Sequence, residues 1–127
     1  MKKIKKGVVR ISDDLCIHPQ YTFEEFKKTR YYKNQNGIRV IRLEEQQNIN
    51  GRKYFVNLFF RNGKIYILSL LCCDKEYTEA TEKMRKLLHD EILEQLGVIC
   101  EEKFEWGKIS SDYDSRSNCS SINVVYY

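Results

Sequence analysis

In the middle of this chain, after Gly37, Asn-Gly occurs twice, at Asn50-Gly51 and Asn62-Gly63, with ten residues between. No other feature limits the fold as strongly. Asn-Gly suits a two-residue hairpin turn in which both central residues need positive φ. Between the turns, Tyr54, Val56, Leu58 and Phe60 fall on one face of an extended strand, and Phe55, Asn57 and Phe59 on the other. After the second turn, Ile65, Ile67, Ser69 and Leu71 alternate with Tyr66, Leu68, Leu70 and Cys72. Together with the segment before Asn50, this pattern predicts a three-stranded antiparallel meander. Its last two strands are apolar on both faces. They belong in the middle of a sheet, with a layer on each side or with one face left to cover a second surface.

The meander is followed by DKEYTEATEKMRKLLHDEILEQLG. Tyr77, Ala80 with Thr81, Met84, Leu87 with Leu88, Ile92 and Leu96 form a stripe of helical period that predicts a long helix packed on the sheet. Asp74 or Thr78 can cap its start, and Gly97 fits the left-handed position after its end. Earlier in the chain, Thr22 and Glu25 match a capping box and predict a short helix from about Phe23. Part of KGVVRISDDLCI reads as a first strand. At the end, Ile109, Ser111 and Tyr113 alternate against Ile122, Val124 and Tyr126, which predicts a hairpin with Ser115–Asn118 as its loop. The expected order is β-α-β-β-β-α-β-β. This is one α+β domain over 1–127, an antiparallel sheet of five or six strands with the long helix on a face and the short helix near an edge.

A chain of 127 residues can bury a core without metal or disulfide staples. Its net charge of +4 is unevenly spread. Residues 1–42 hold 11 Lys and Arg against 4 Asp and Glu, a net of +7; the remainder holds 11 against 14, a net of −3. A basic patch of this kind attracts nucleic acid, an anionic surface or an acidic protein. MKKIKK resembles the start of a secretory signal, but Arg10, Asp13 and Asp14 interrupt the apolar stretch such a signal needs. With five irregularly spaced cysteines (Cys16, Cys72, Cys73, Cys100 and Cys119), this points to a cytoplasmic protein with reduced thiols. No run is apolar and long enough for a membrane helix.

Catalytic patterns are sparse. Cys16-Ile17-His18 would set a thiol and an imidazole on one face of a strand, but ~6–7 Å apart, beyond hydrogen-bond reach. His18 and His89 are far apart in sequence and form no metal-binding spacing. His89 reads as a surface histidine on the charged face of the long helix. Asp112 and Asp114 face the same way on the penultimate strand, where they suit cation binding or acid–base work. The preferred reading is a wet stripe in which Ser110, Asp112 and Asp114 lie opposite Cys119, Ser121 and Asn123, with Arg116 placed to neutralise the carboxylates. No catalytic residue, cofactor site or metal site is assigned.

The residues best suited to contact a partner are Lys27, Lys28, Arg30, Tyr31, Tyr32, Arg39, Arg42 and Arg116. Most of them mix cations with aromatics, which also suits phosphate contact and base stacking. The closing third carries Trp106-Gly107, Ile109-Ser110, Tyr113-Asp114, Arg116-Ser117, Ser121-Ile122 and a terminal Tyr. This pattern resembles the closing half of a group of small bacterial α+β proteins to which no activity attaches. In size and make-up the chain is also similar to immunity proteins that neutralise bacterial toxins, a likeness of class that gives no residue a role. The expectation is a non-enzymatic binding protein of immunity or inhibitor type with a protein partner. A nucleic-acid module using the basic third, and a pocket between sheet and helix, are the alternatives. Pairing of two copies through a sheet edge is a further expectation.

Overall fold

The structure, a computed structural model, describes residues 1–99 and 101–127. Cys100 lies outside the described residues. Among these residues the architecture is α+β, with a seven-stranded antiparallel sheet, a separate two-stranded ribbon, and two α-helices. The ribbon pairs β1 (Val9–Arg10) with β2 (Cys16–Ile17). Then come α1 (Phe23–Phe26), β3 (Val40–Arg42), β4 (Gln47–Ile49), β5 (Arg52–Arg61), β6 (Lys64–Cys72), α2 (Glu82–Gln95), β7 (Glu102–Phe104), β8 (Gly107–Asp114) and β9 (Cys119–Tyr126). The large sheet runs β3-β5-β6-β9-β8-β7, and β4 also pairs with β5.

The strand count and order therefore differ from the expectation of five or six strands, and the reasons are local. The first strand of the meander is broken in two. Arg42 pairs with Asn57 and Gln47 with Tyr54, so the four residues 43–46 stand opposite only Phe55 and Val56. The chain bulges there, although the Leu43 N–H still donates to the Val56 carbonyl at 3.0 Å. The expected first strand is the small ribbon, and β7 adds an edge strand.

Both Asn-Gly turns adopt the anticipated geometry: φ is +54° at Asn50 and Asn62, +82° at Gly51 and +75° at Gly63. Tyr54, Val56, Leu58 and Phe60 are buried as one face of β5. The alternation in β6 is not strict. Phe59 pairs with Ile67 but Phe60 with Ile65, so Tyr66 is an extra residue at a bulge. The bulge returns Ile65 to the core face, which it shares with Leu68, Leu70 and Cys72.

One face of the sheet carries the whole core. Over β6, β8 and β9 it is covered by α2. Over the other end lie residues 1–26. Phe23 and Phe26 pack on Phe60 with ring centroids 5.4 and 6.0 Å apart. The Tyr126 hydroxyl donates to the Gly7 carbonyl at 2.8 Å. The basic N-terminal third is thus a structural layer rather than an appendage, with Ile4, Val9, Leu15, Ile17 and Phe26 buried beneath its lysines. The capping box holds as expected, with Glu25 N–H donating to Thr22 Oγ1 at 3.1 Å and Thr22 N–H to Glu25 Oε2 at 2.8 Å.

The helix stripe needs correction. α2 starts at Glu82, with Thr81 rather than Asp74 or Thr78 at its N-cap, while Asp74 instead accepts from the Lys53 N–H. Met84 and Leu87 are 60% and 66% exposed. The buried face is Glu82, His89, Ile92 and Leu93, with Arg85, Leu88 and Leu96 half-buried beside it. At about 100° per residue, positions 82, 85, 89, 92 and 96 lie on one side, and 84 and 87 point away from it. The last residue after the helix, Gly97, is left-handed as anticipated, with φ +73°.

Candidate binding surface

The inner face of α2 is polar at its start because the sheet supplies partners. Glu82 Oε2 accepts from the Ser120 N–H at 3.0 Å and the Ser120 hydroxyl at 2.8 Å. Arg85 lies 3.3 Å from the same oxygen, with its guanidinium 4.8 Å from the Tyr77 ring centre. His89 is fully buried, contrary to the expected surface position, and its Nε2 accepts from the Cys72 N–H at 2.9 Å. An accepting Nε2 puts the proton of the neutral ring on Nδ1. Burial, then the Arg85 cation, push the His89 pKa down to about 4, with Glu82 opposing. Among the described residues, His89 Nδ1, Arg85 Nε and Ser111 Oγ are buried with no hydrogen-bond partner. The bonds of Glu82 to Ser120 and of His89 to the Cys72 N–H clamp the helix to β9 and β6. Sequence reading missed them because charged residues default to the surface; the clue was that 82, 85 and 89 continue the line of Ile92 and Leu96.

The space between α2 and the sheet is filled by side chains such as Leu93, Ile122 and Val124, at 2%, 1% and 0% exposure. That packing stands against the alternative of a pocket there. Burial is the leading influence on Cys72, Cys73 and Cys119 and pushes each thiol up, away from the thiolate. Cys16 and His18 form no couple: His18 Nδ1 lies 2.8 Å from the Pro19 carbonyl, and Nε2 lies 3.5 Å from Glu25. Among the described residues, no three His, Cys, Asp or Glu are grouped to hold a metal ion. Among the described residues, no helix is long and apolar enough to cross a membrane.

The proposed contact residues do not form one patch. Arg30, Tyr31 and Arg42 line a cleft of about 520 Å3, with Lys33 and Ile38. Arg39 lines a neighbouring cleft with Phe23, Phe59 and Tyr66. Lys27 pairs with Glu24 at 3.4 Å, and Lys28 is exposed. Tyr32 packs edge-on against Phe23 at 6.1 Å and accepts from Asn36 at 2.8 Å. The Tyr31 hydroxyl sits 2.9 Å from Ser12 Oγ and 3.2 Å from Gln47 Oε1. Both tyrosines are half-buried and engaged, which leaves little ring free for base stacking. Arg116 does not neutralise the carboxylates. Among the described residues it makes no ion pair, and only its backbone N–H meets Asp114, at 2.9 Å.

A larger concavity than either cleft lies on the sheet face opposite the core, an open trough of about 930 Å3. Strand register arranges it in transverse rows, because direct cross-strand partners share a face. A polar row crosses five strands: Arg42, Asn57, Ser69, Asn123, Ser110. On one side lies an apolar row, Phe59, Ile67 and Val125, ending in Lys108. On the other side lie the pairs Phe55 with Leu71 and Asp112 with Ser121. Ser110, Asp112 and Asp114 do oppose Asn123, Ser121 and Cys119, as the sequence indicated. Asp112 is held instead by the neighbouring polar row: Oδ2 accepts from Ser110 Oγ and Asn123 Nδ2, each at 2.7 Å. Ser69 is 6% exposed on this floor, yet its hydroxyl bonds to no other described group.

Comparison with family models, with curated proteins and with solved structures returns no match. The closing WG…Y pattern nevertheless has a visible purpose. Gly107 faces the Val125 carbonyl so closely that a Cβ would stand 1.9 Å from its oxygen. Trp106 stacks on Phe104 at 5.2 Å and donates from Nε1 to the Lys5 carbonyl at 2.9 Å. These residues tie the last hairpin to the N-terminal layer.

Proposed function

We propose that the chain is a non-enzymatic binding protein of the immunity or inhibitor type, acting in the cytoplasm, which grips a protein partner through the open trough. One observation carries this reading. A row of polar side chains crosses five strands with hydrogen-bonding capacity unused at Asn57 and Ser69, beside an uncovered apolar row. Buried polar groups normally find partners, and a sheet face with apolar side chains normally finds a cover. The charges around the trough are mixed, with Arg42 and Lys108 against Glu44, Asp112 and Asp114, which suits a protein better than a phosphate backbone. Both sheet edges discourage pairing of two copies, one being broken by the bulge and the other only three residues long.

Co-expression with the product of the adjacent gene tests the reading. The expected result is a complex that survives size-exclusion chromatography, with relief of any growth arrest that product causes. Ser69→Arg, which fills the trough floor, should abolish both while leaving the thermal midpoint within a few degrees. No complex, or a complex indifferent to Ser69→Arg, overturns it. The second reading, nucleic acid held in the Arg30–Arg42 cleft, predicts binding that falls steeply with salt; absence of a low-salt gel shift removes it.

A further inference from the structure

We infer that the trough holds an extended segment of the partner protein, laid across the strands along the polar row, with a cationic side chain at the Asp112 end and an acidic one at the Arg42 end. This rests on the reading that the trough is a protein-binding face. The two ends carry opposite charges that no ion pair among the described residues neutralises. Arg42 is exposed and makes no ion pair with any described residue. Asp112 is half-buried and likewise has no cation within 4.0 Å among them. The Lys108 backbone stands four residues along the same strand, ~13 Å away. Asp112 is also fixed in aim. Ser110 and Asn123 both bind Oδ2, which leaves Oδ1 free for an incoming donor. Asp114 is less suited, since its Oδ1 already accepts the Arg116 N–H at the exposed hairpin loop.

The dimensions fit a short extended chain. From β3 to β8 the row crosses four strand spacings of ~4.8 Å, or ~19 Å, the length of about six extended residues at ~3.3 Å each. Between its charged ends the row presents the Asn57 amide, both a donor and an acceptor, and the Ser69 hydroxyl. Peptide N–H and C=O groups can satisfy both. Phe59, Ile67 and Val125 on one flank, and Phe55 with Leu71 on the other, offer apolar ground for alternate side chains. A phosphate-bearing ligand would bring anions to the Asp112 carboxylate and is disfavoured at that end.

The test uses random hexapeptides displayed on phage, selected against the intact chain, with the enriched peptides then measured by fluorescence anisotropy. Enrichment of Lys or Arg at one end and Asp or Glu at the other is expected. Asp112→Asn should weaken the selected peptides about tenfold or more, and Arg42→Glu should invert the preference at its end. Unchanged spectra of each variant by 1H–15N NMR outside the trough guard against misfolding. If peptides bind, lose affinity with Ser69→Arg, and ignore Asp112→Asn and Arg42→Glu, the charged-end assignment fails while the trough remains the binding face. If binding survives Ser69→Arg, both fail. If no peptide is enriched, the extended-segment inference falls, and the co-expression experiment still decides the wider reading.

Discussion

The two faces of the large sheet are built from the same strands and treated oppositely. On β5, Tyr54, Val56 and Leu58 are fully buried beneath the N-terminal layer and α2, while Phe55, between them, is 41% exposed. The period-two alternation of a strand assigns each side chain to a face but not a fate to that face. The covered face is closed by apolar side chains and by a polar clamp in which Glu82 meets Ser120 and His89 meets the Cys72 N–H, while His89 Nδ1, Arg85 Nε and Ser111 Oγ meet no other described group. On the open face the side chains of Asn57 and Ser69 bond to no other described group, and Phe55 is partly exposed. What separates the faces is cover: one is sealed by α2 and the N-terminal layer, and the other leaves polar and apolar side chains open to contact.

The largest expected difference between the faces comes from the clamp. Glu82→Ala would strip two hydrogen bonds from Ser120 and leave the Arg85 cation, 13% exposed, without its counter-ion. Breaking a buried pair in this way costs about 3–5 kcal/mol. Glu82→Gln keeps an acceptor for Ser120 and should cost less, about 1–3 kcal/mol. Urea unfolding measures both; a loss below ~1 kcal/mol for Glu82→Ala would mean the clamp does not hold the helix. Next comes Leu68→Ala, at about 2–5 kcal/mol, because Leu68 is fully buried. Its neighbour Ile67 points into the trough, and Ile67→Ala should cost under about half as much. Equal losses would show that the trough is covered in the free protein.

The meander was legible in the sequence because its determinants are local. Asn-Gly specifies the turns, and alternation specifies which side chains of β5 turn inward. Three things were not legible, each for a non-local reason. The break between β3 and β4 and the bulge at Tyr66 depend on how strands of unequal length are matched across the sheet. The start of α2 is not legible because Tyr77 and Ala80 fit the helical period but precede the helix; Tyr77 instead lies against Arg85. The inward turn of Glu82, Arg85 and His89 depends on Ser120 and the Cys72 N–H, which lie 38 and 17 residues from their partners in the chain. The trough rows were half legible. The opposition of Ser110, Asp112 and Asp114 to Asn123, Ser121 and Cys119 followed from hairpin register, whereas the link to Asn57 and Ser69 required the β6–β9 pairing.

A smaller effect, spread over pH, separates the faces again. His89 has a folded pKa of about 4 against an ordinary value near 6.5. Its neutral form is the one the fold accepts, so its contribution is fully present above pH ~6.5. It is lost as pH falls through the window to about 4, at roughly 1.4 kcal/mol per pH unit, because the unfolded chain binds the proton first. The groups around it are Arg85, Lys86, Glu82 and Asp90. Unfolding free energy measured from pH 7 to 4 should therefore slope downward, and His89→Gln, which retains an acceptor for the Cys72 N–H, should flatten that slope. Asp90 and Glu25 also sit below their ordinary values, so acid loss from them persists in the variant at lower pH. An identical slope in wild type and His89→Gln would place the histidine's proton elsewhere.

The smallest change is the sharpest contrast. Asn57 is half-buried in the middle of β5, and its amide makes no hydrogen bond to a described group. A half-buried asparagine that held the fold together would be worth about 1–3 kcal/mol on removal, through a partner left unsatisfied. With no partner to strand, Asn57→Ala should change stability by no more than about 0.5 kcal/mol. Asn123→Ala, on the same polar row, would deprive Asp112 of one of its two donors and should cost more. Urea midpoints of the two variants, measured side by side, decide the matter. If Asn57→Ala proved the costlier, the polar row would be a structural element of the sheet. The expected order, with near-neutral stability and weakened partner binding in Asn57→Ala, is that of a side chain held in place for a contact the free protein does not make.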